Sequence, residues 1–479
     1  MLLISRLVAA LALAGTAIAS LQIIPGGTWT ASGTNQHVQA HGGGKHIPIP
    51  DEYQHINRGQ ESSKSARPTT GSVKTSSTEA RFSRSTVTPA RYVHTYRSPP
   101  AKVNFLQNLV EWTYVGELLS RQSSGDLGPN RVVERPKVLY NEATRKYVMW
   151  MHIDDSSYKE AKTGVATSSS VCGKYTYLGS FQPLGQQSRD MGLFKDDDGS
   201  AYLLTEDRPN GLRINRLTSD YTNVTSTVHL FPEHIEAPAM YKKNGVYFMF
   251  GSQLTGWSTN DNKYTTSTSL SGPWSSWANF APSGSNTFNS QTTFILGVGD
   301  TVMYYHPSHP VQPITQVNWI LPLQGTWTPG PTETNPEAES STNALSNGAR
   351  VISCSGCSGG KAVGWIGGPS DGTLRIVGVE SSASTRSTIR VKYENGDSSQ
   401  RYALVSVNGK TQVLAFLPSG GSPASSTLHA DLQSGSGNTV TFSAYAQGYG
   451  GLFSSPTDLV MAADMEVGPD VDRLMVPKT

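Results

Sequence analysis

At 479 residues, the chain is too long for one ordinary hydrophobic core, and its length predicts a large propeller or barrel together with one smaller domain. Lys and Arg number 38 against 36 Asp and Glu, which leaves a formal charge of only +2. This near-neutral charge argues against nucleic acid as a binding partner and favours an uncharged partner such as a glycan.

The first residues have the pattern of a secretory signal. Arg6 precedes an apolar run at 7–14, and Ala17-Ile18-Ala19 is a small-x-small cleavage site. The run is shorter than the roughly 20 residues that a membrane-spanning helix needs. We therefore expect residues 1–19 to be removed and the protein to be secreted into an extracellular, oxidising environment, with no membrane partner.

Two of the three cysteines are close in sequence. Cys354 and Cys357, in Ser-Cys-Ser-Gly-Cys, can close a tight disulfide loop, with Cys172 outside that pair. A metal or redox Cys-x-x-Cys pair is the weaker alternative, because two cysteines supply only two of the four ligands of a zinc ion.

Short β-rich runs alternate with Gly, Asn, Asp and Ser turns between Trp112 and Leu323. The clearest runs are Tyr147–His152, Ala201–Thr205, Gly245–Phe250 and Thr301–Tyr305. Regular spacing of short strands, with almost no helical periodicity, predicts an all-β chain built of repeated blades. A single β-sandwich is the alternative, but the segment is long for one.

A second unit is rich in Ser, Gly and Thr and contains alternating strands such as Thr388–Tyr393 and Tyr402–Val407. This pattern suits a β-sandwich of the jelly-roll type. We place a propeller in residues 20–325, a Pro- and Thr-rich linker in 326–336 and the sandwich module in 337–479.

Three stretches lack the strand pattern of their surroundings: residues 46–103, 306–317 and 451–467. The first is dominated by Ser, Thr, Arg and Pro, although it stands where a first blade is expected. We interpret them as disordered insertions or, in preference, as products of an incorrect gene model. Sequencing the transcript across codons 44–108 and 305–318 separates the two explanations.

Four short blocks carry a family resemblance. They are Val132-Val-Glu-Arg-Pro-Lys137, Ser188-Arg-Asp-Met-Gly-Leu-Phe194, His234-Ile-Glu-Ala-Pro-Ala239 and Asn289-Ser-Gln-Thr-Thr293. Together they resemble glycoside hydrolase family 43, in its exo-β-1,3-galactanase subgroup, over residues 36–44 and 108–323. The resemblance implies a five-bladed β-propeller whose catalytic residues meet in the central cavity, each from a different blade.

Glycosidic cleavage needs a carboxylic acid that protonates the leaving oxygen. Glu236 lies between Ile235 and Ala237-Pro238, an apolar setting that would raise its pKa as a general acid requires. By resemblance Glu236 is that acid, and Asp190 is the carboxylate that orients it and raises its pKa. The alternatives are a strand-end carboxylate capped by backbone donors for Glu236, and an ion pair with Arg189 for Asp190.

The resemblance implies an aspartate near the start of the chain that acts as the base in most of the family. The matching block here, Val38-Gln-Ala-His-Gly-Gly-Gly44, has no carboxylate. The resemblance implies that Gln291 holds the attacking water instead. Either an imidic form of Gln291 or the carboxylate of Glu134 must then take the proton. Glu134 could otherwise bind substrate or pair with Arg135. For inversion we expect Gln291 and Glu236 on opposite sides of the pocket, with room for one water between them.

Aromatic residues are candidates for sugar contacts, since their faces stack on pyranose rings. Tyr158 and Trp257 are such candidates, although either could pack between blades instead. We expect His41 to shape the floor of the pocket, since nothing of matching spacing makes it a metal ligand.

The C-terminal unit resembles a family 35 carbohydrate-binding module. Its first and last strands match at Pro336-Glu-Ala-Glu-Ser340 and Gly468-Pro-Asp-Val-Asp-Arg-Leu474. Neighbouring first and last strands would bring together the carboxylates of Glu337, Glu339 and Asp472, which suits a structural calcium ion. Trp365 and Arg390 are further candidates for sugar contacts, each with a core or surface role as the alternative.

These features predict a monomeric exo-β-1,3-galactanase that hydrolyses the β-1,3-galactan of arabinogalactan with inversion and needs no cofactor for catalysis. Blocks expected from the resemblance are replaced from Lys45 onward and after Tyr305, which would leave two blades incomplete. A catalytically impaired glycan-binding protein is therefore one alternative. A hydrolase that acts on arabinan or xylan is another alternative, and the missing aspartate base argues against it.

Overall fold

The computed structural model describes residues 27–30, 32, 35, 86–87, 101–106, 112–256, 258–288, 291–292, 294–298, 301–307, 316–321, 333–368, 370–445 and 467–477. Within these residues the protein is all-β, and its only helices are short 3-10 helices at Gly125–Leu127, Pro183–Gly185, Asn286–Phe288 and Ser358–Gly360. None of these described helices is long and apolar enough to cross a bilayer. The predicted signal at 1–19, and most of 46–103, 308–315 and 451–466, lie outside the described residues.

The N-terminal half begins with a short strand and a small antiparallel sheet. These strands are β1 (Gly27–Trp29), β2 (Thr86–Val87), β3 (Ala101–Leu106) and β4 (Trp112–Leu119). Strands β2 to β4 pair in sequence order.

Three four-stranded antiparallel sheets follow, and in each of them every strand pairs with the next along the chain. The first sheet contains β5 (Arg131–Asn141), β6 (Lys146–Asp155), β7 (Lys162–Ser168) and β8 (Thr176–Phe181). The second contains β9 (Met191–Lys195), β10 (Ala201–Asp207), β11 (Gly211–Leu217) and β12 (Val224–Phe231). The third contains β13 (Ile235–Lys243), β14 (Val246–Gln253), β15 (Lys263–Ser267) and β16 (Ala278–Asn279).

A further meander contains β17 (Phe294–Val298), β18 (Thr301–Pro307) and β19 (Gln316–Leu321). Each of the runs predicted around 147–152, 201–205, 245–250 and 301–305 forms the second strand of its sheet, namely β6, β10, β14 and β18. Neighbouring sheets share apolar clusters, for example Trp150 of β6 with Leu203 of β10. The repeated pattern therefore reflects repeated packing of one sheet on the next.

The C-terminal half contains two sheets that enclose one apolar core. Its strands are β20 (Glu333–Thr334), β21 (Ala344–Ser346), β22 (Arg350–Ser353), β23 (Lys361–Gly364), β24 (Thr373–Ser381), β25 (Thr385–Glu394), β26 (Arg401–Val407), β27 (Lys410–Phe416), β28 (Ala424–Leu432), β29 (Gly435–Ser443) and β30 (Asp470–Pro477). Alternation of the predicted kind buries Ile389, Val391 and Tyr393 of β25 against this core.

Strand β1 belongs to both halves. It pairs antiparallel with β19 through Gly27 and Gln316, and parallel with β28 along its whole length. Trp29 is buried there and stacks on His429, with ring centroids 5.3 Å apart. This link was not predicted, because a three-residue strand has no sequence pattern that identifies its partners.

Candidate active site

The candidate catalytic residues lie on or just before the first strands of four successive sheets. Glu134 is on β5 and Glu236 is on β13, while Asp190 immediately precedes β9 and Gln291 precedes β17. Strand β9 contacts both β5 and β13, and β13 also contacts β17. Because these first strands adjoin one another, four residues that are distant in sequence converge at one place.

Two β-bulges direct the glutamates into this place. In Glu134-Arg135-Pro136 and Glu236-Ala237-Pro238 the strand register shifts after the glutamate. The residue that follows has a positive φ, 49° at Arg135 and 54° at Ala237. Bulges re-aim side chains and often lie beside active sites, and a positive φ in a residue other than glycine is a strained conformation. Both glutamates are buried, with 6% and 7% of their surface exposed.

Glu236 lies in a cluster of acids. Carboxylate oxygens of Asp190, Glu206 and Glu236 all lie within 4.8 Å of one another. Burial, followed by the charges of Asp190 and Glu206, raises the pKa of Glu236 to about 9, although Arg135 and Arg208 oppose the shift. Glu236 therefore holds a proton at neutral pH, which is the state that a general acid needs.

Asp190 connects the first strands. Its Oδ1 forms an ion pair with Arg135 Nε over 2.7 Å, and its Oδ2 accepts a hydrogen bond from the Ala237 backbone N–H over 3.0 Å. Asp190 is thus tied to the residue that follows the acid. The alternative pairing with Arg189 does not occur, since Arg189 instead pairs with Asp154 over 3.2 Å.

Gln291 contacts the acid directly. Its Nε2 donates a hydrogen bond to Glu236 Oε1 over 2.8 Å, and its Oε1 accepts one from Arg135 Nη2 over 2.5 Å. Arg135 also donates to the Thr292 carbonyl over 3.0 Å, which fixes the segment. The expected water-sized gap between Gln291 and Glu236 is therefore wrong for this structure, because Arg135 turns the amide nitrogen towards the acid.

Glu134 lies in a second, neighbouring network. Tyr158 donates its hydroxyl to Glu134 Oε1 over 2.7 Å, and His152 Nδ1 lies 3.1 Å from Glu134 Oε2. The other ring nitrogen of His152 lies 3.1 Å from Asp154 Oδ2. Burial lowers the pKa of His152, but hydrogen bonds with Asp154 and Glu134 outweigh it and raise that pKa to about 9. Glu134 is thus held by Tyr158 and a protonated imidazole, whereas its alternative partner Arg135 pairs with Asp190.

Several residues of the site were not predicted: Arg135, His152, Asp154, Glu206 and Arg208. A signal for some of them was present in the sequence. His152 and Asp154 are two residues apart on β6 and so share a face. Similarly, Glu206 and Asp207 are the last two residues of the fully buried strand β10, and Arg208 follows them. Charged residues that directly continue an apolar strand are a signal of a buried polar site.

Two overlapping groups of side chains have the composition of a metal site. They are Glu134, His152 and Asp190, and Asp190, Glu206 and Glu236. Arg135 already pairs with Asp190, and Arg208 pairs with Glu206 over 2.5 Å. Guanidinium groups therefore already supply positive charge beside these carboxylates.

Two predicted substrate contacts, His41 and Trp257, lie outside the described residues. Tyr158 is at the site through its contact with Glu134. In the C-terminal half, Trp365 is 54% exposed, and the Arg350 guanidinium lies 4.3 Å from the centroid of its ring. Arg390 forms an ion pair with Glu333, so a sugar contact from Arg390 would have to compete with that pair.

The predicted calcium ligands lie around the Ser358–Gly360 turn. Ser358 donates its N–H to Asp472 Oδ1 over 3.0 Å and its hydroxyl to Glu337 Oε1 over 2.8 Å. The Oε2 atoms of Glu337 and Glu339 are buried without a hydrogen-bond partner among the described residues. The disulfide between Cys354 and Cys357 lies just before this turn. Buried carboxylate oxygens without donors are suited to a hard cation.

Comparisons with known proteins agree with this geometry. The family model of glycosyl hydrolases family 43 matches residues 87–319. An exo-β-1,3-galactanase from Phanerochaete chrysosporium, solved with galactose, is 29% identical, with a TM-score of 0.57 over 95% of this chain and 100% of that chain. A glutamate-to-glutamine variant of that enzyme, solved with β-1,3-galactotriose, is 29% identical over 95% of this chain and 99% of that chain, with a TM-score of 0.57.

An exo-β-1,3-galactanase from Clostridium thermocellum is 20% identical over 93% of this chain and 99% of that chain, with a TM-score of 0.51, and it shows likeness of fold. A comparison with curated proteins gave no match. The family model thus assigns residues 87–319 to glycosyl hydrolases family 43, and the structural likeness to exo-β-1,3-galactanases extends over most of the chain.

Proposed function

We propose that the chain is a secreted exo-β-1,3-galactanase that releases galactose from the ends of the β-1,3-galactan of arabinogalactan, with inversion. The observation that carries this proposal is the buried Glu236 beside Asp190 and Glu206, with the amide of Gln291 against it. A site that presents an amide at this position lacks the carboxylate that forms a glycosyl ester in retaining enzymes. The 29% identical relatives, solved with galactose and with β-1,3-galactotriose, support the choice of sugar.

In the proposed reaction Glu236 protonates the glycosidic oxygen while water attacks the anomeric carbon. Asp190 keeps the acid protonated and in place, and Tyr158 with Glu134 contacts the sugar. The hydrogen bonds of Gln291 support Glu134 as the base. The Gln291 nitrogen donates to the acid and its oxygen accepts from Arg135, so neither atom is directed to take a proton from water.

The sheets support a finer description of the fold. We take β2–β4, β5–β8, β9–β12, β13–β16 and β17–β19 with β1 as the five blades of a propeller. The two C-terminal sheets would then be a family 35 carbohydrate-binding sandwich in residues 337–479, with Trp365 as a sugar contact. Glu337, Glu339 and Asp472 would hold a structural calcium ion there, while no cofactor takes part in catalysis. We also propose a signal at residues 1–19 and a monomeric protein.

Proton NMR of the first sugar released from β-1,3-galactan tests this proposal, with arabinan, xylan and the Glu236→Gln variant as controls. We expect galactose from β-1,3-galactan alone, first in its α form, and none from the variant. Sugar release from arabinan or xylan instead would show another member of the family. Binding of β-1,3-galactan without release would show a glycan-binding protein, and β-galactose appearing first would rule out inversion.

A further inference from the structure

We propose that Glu206 and Arg208 are positioning residues that set the protonation of the general acid from a third strand. Glu206 favours the proton on Glu236 and Arg208 opposes it. This inference rests on the proposed function, in which Glu236 is the acid, and assigns a role to two residues that the known chemistry of glycoside cleavage does not require.

The backbone brings Glu206 against the acid's partner. Glu206 lies at the end of β10, where its N–H donates to the Asp190 carbonyl over 2.9 Å and its carbonyl accepts from the Arg189 N–H over 3.0 Å. These two bonds extend the pairing of β9 and β10 to the residue before β9. The distance between Glu206 and Asp190 is therefore set by strand pairing and not by flexible side chains.

The side chain of Glu206 is only partly satisfied. The residue is 1% exposed, and its Oε1 accepts a hydrogen bond from Arg208 Nε over 2.5 Å. Its Oε2 is buried with no hydrogen-bond partner among the described residues. A buried carboxylate beside two other carboxylates is costly unless a cation faces it. Burial raises the pKa of Glu206 itself, and the hydrogen bond from Arg208 opposes that rise and favours the ionised carboxylate.

Arg208 supplies the facing cation. Its side chain is 49% exposed, so it lies where the cluster meets solvent, and its Nη2 is 3.9 Å from Glu236 Oε2. One guanidinium thus contacts Glu206 and approaches the acid. Loss of Glu206 removes a negative charge near Glu236, whereas loss of Arg208 removes a positive one.

The charged groups that face Glu236 come from β5, from the residue before β9 and from the end of β10. They are Asp190 and Glu206 on the acidic side, and Arg135 and Arg208 on the basic side. The neutral amide of Gln291 completes the surroundings. Burial is the largest cause of the raised pKa of Glu236, and Asp190 and Glu206 follow it. The two new residues therefore act in opposite directions on the same group.

The pH dependence of kcat/KM for β-1,3-galactobiose tests the inference in the full chain. We expect Glu206→Gln to lower the alkaline limb by about one pH unit and Arg208→Gln to raise it by a similar amount. Arg208→Lys, which keeps the positive charge, should leave the alkaline limb close to that of wild type. Arg213→Gln is the matched control, because Arg213 forms a similar ion pair with the neighbouring Asp207 over 2.6 Å. It should leave the alkaline limb unchanged.

Alkaline limbs that coincide in wild type, Glu206→Gln and Arg208→Gln would overturn the inference, as would shifts of the same sign. If circular dichroism shows that Glu206→Gln does not fold, the two Arg208 variants still test the inference, because the Arg208 side chain is half exposed. A wild-type chain that releases no galactose would contradict the proposed function instead. In that case the carboxyl ¹³C shift of Glu236, assigned with Glu236→Gln and titrated in the same variants, still shows or excludes the opposite pKa shifts.

Discussion

Gln291 donates a hydrogen bond to Glu236, with 2.8 Å between the amide nitrogen and Oε1 of the carboxyl group. The amide oxygen is held by Arg135, whose own partner is Asp190. Arg135 thereby links Asp190 to the amide that contacts Glu236. The amide is directed towards the acid, and its part in water activation is the first point to test.

Replacing Glu134 by Ala should lower kcat by about 10²- to 10⁴-fold, because the proposed base is lost. Added azide should restore the rate and give α-galactosyl azide, since this anion attacks without losing a proton. Gln291→Ala is the comparison and should show no azide rescue. Rescue of Gln291→Ala, with Glu134→Ala still active, would assign proton removal to position 291.

Glu236→Gln should lower the rate of galactose release by about 10²- to 10⁴-fold, because the proton donor is lost. The measurement is the initial rate on β-1,3-galactobiose, an unactivated substrate. Glu233→Gln is the matched control, since Glu233 is exposed in the turn before β13, and it should keep full activity. Comparable rates in the two variants would remove Glu236 from the role of acid.

The same variant should change the pH dependence of stability. The folded pKa of Glu236, about 9, lies above its ordinary value of 4.5, so the unfolded chain releases this proton first and stability falls as pH rises between these values. Glu236→Gln removes that loss and should be more stable by about 1–3 kcal/mol near pH 8. Denaturant unfolding at pH 5 and pH 8 measures the difference.

His152 contributes a pH dependence of stability that wild type and Glu236→Gln share. Its folded pKa is raised to about 9, so its stabilisation is complete below its ordinary value of 6.5 and is lost as pH rises through about 9. The difference between wild type and Glu236→Gln therefore isolates Glu236. Equal slopes in the two proteins would mean that Glu236 is ionised in the folded state at neutral pH.

A chelator should lower the melting temperature of the full chain, and added calcium should restore it, because a bound ion stabilises only the folded state. The full chain is needed since β1 is part of the C-terminal sheet. Burial and the charges of Glu337 and Asp472 raise the pKa of Glu339, so these carboxylates lie close enough to repel one another.

Glu339→Gln should abolish the response to calcium, whereas Glu380→Gln, at an exposed position of β24, should retain it. A chelator response that persists in Glu339→Gln would place the ion elsewhere. No response in wild type would mean that Glu337, Glu339 and Asp472 bind no calcium.

The local sequence was sufficient to predict the strands, the buried carboxyl group and the disulfide, because each depends on residues that are close in sequence. Alternation in Thr388–Tyr393 predicted a strand, which is β25, and the apolar neighbours of Glu236 predicted a buried carboxyl group. The spacing of Cys354 and Cys357 predicted the disulfide that the structure contains. Each of these features is determined within a few residues, by the period of a strand or by the reach of a short loop.

Only the tertiary structure decided which residues meet. Arg135 pairs with Asp190 and not with Glu134, and Arg189 pairs with Asp154, because bulges and neighbouring first strands set the side-chain directions. The same packing places Gln291 on Glu236 and brings Glu206 into the acidic cluster. Such contacts join residues from different sheets, and a one-dimensional pattern does not encode the distance or orientation between sheets.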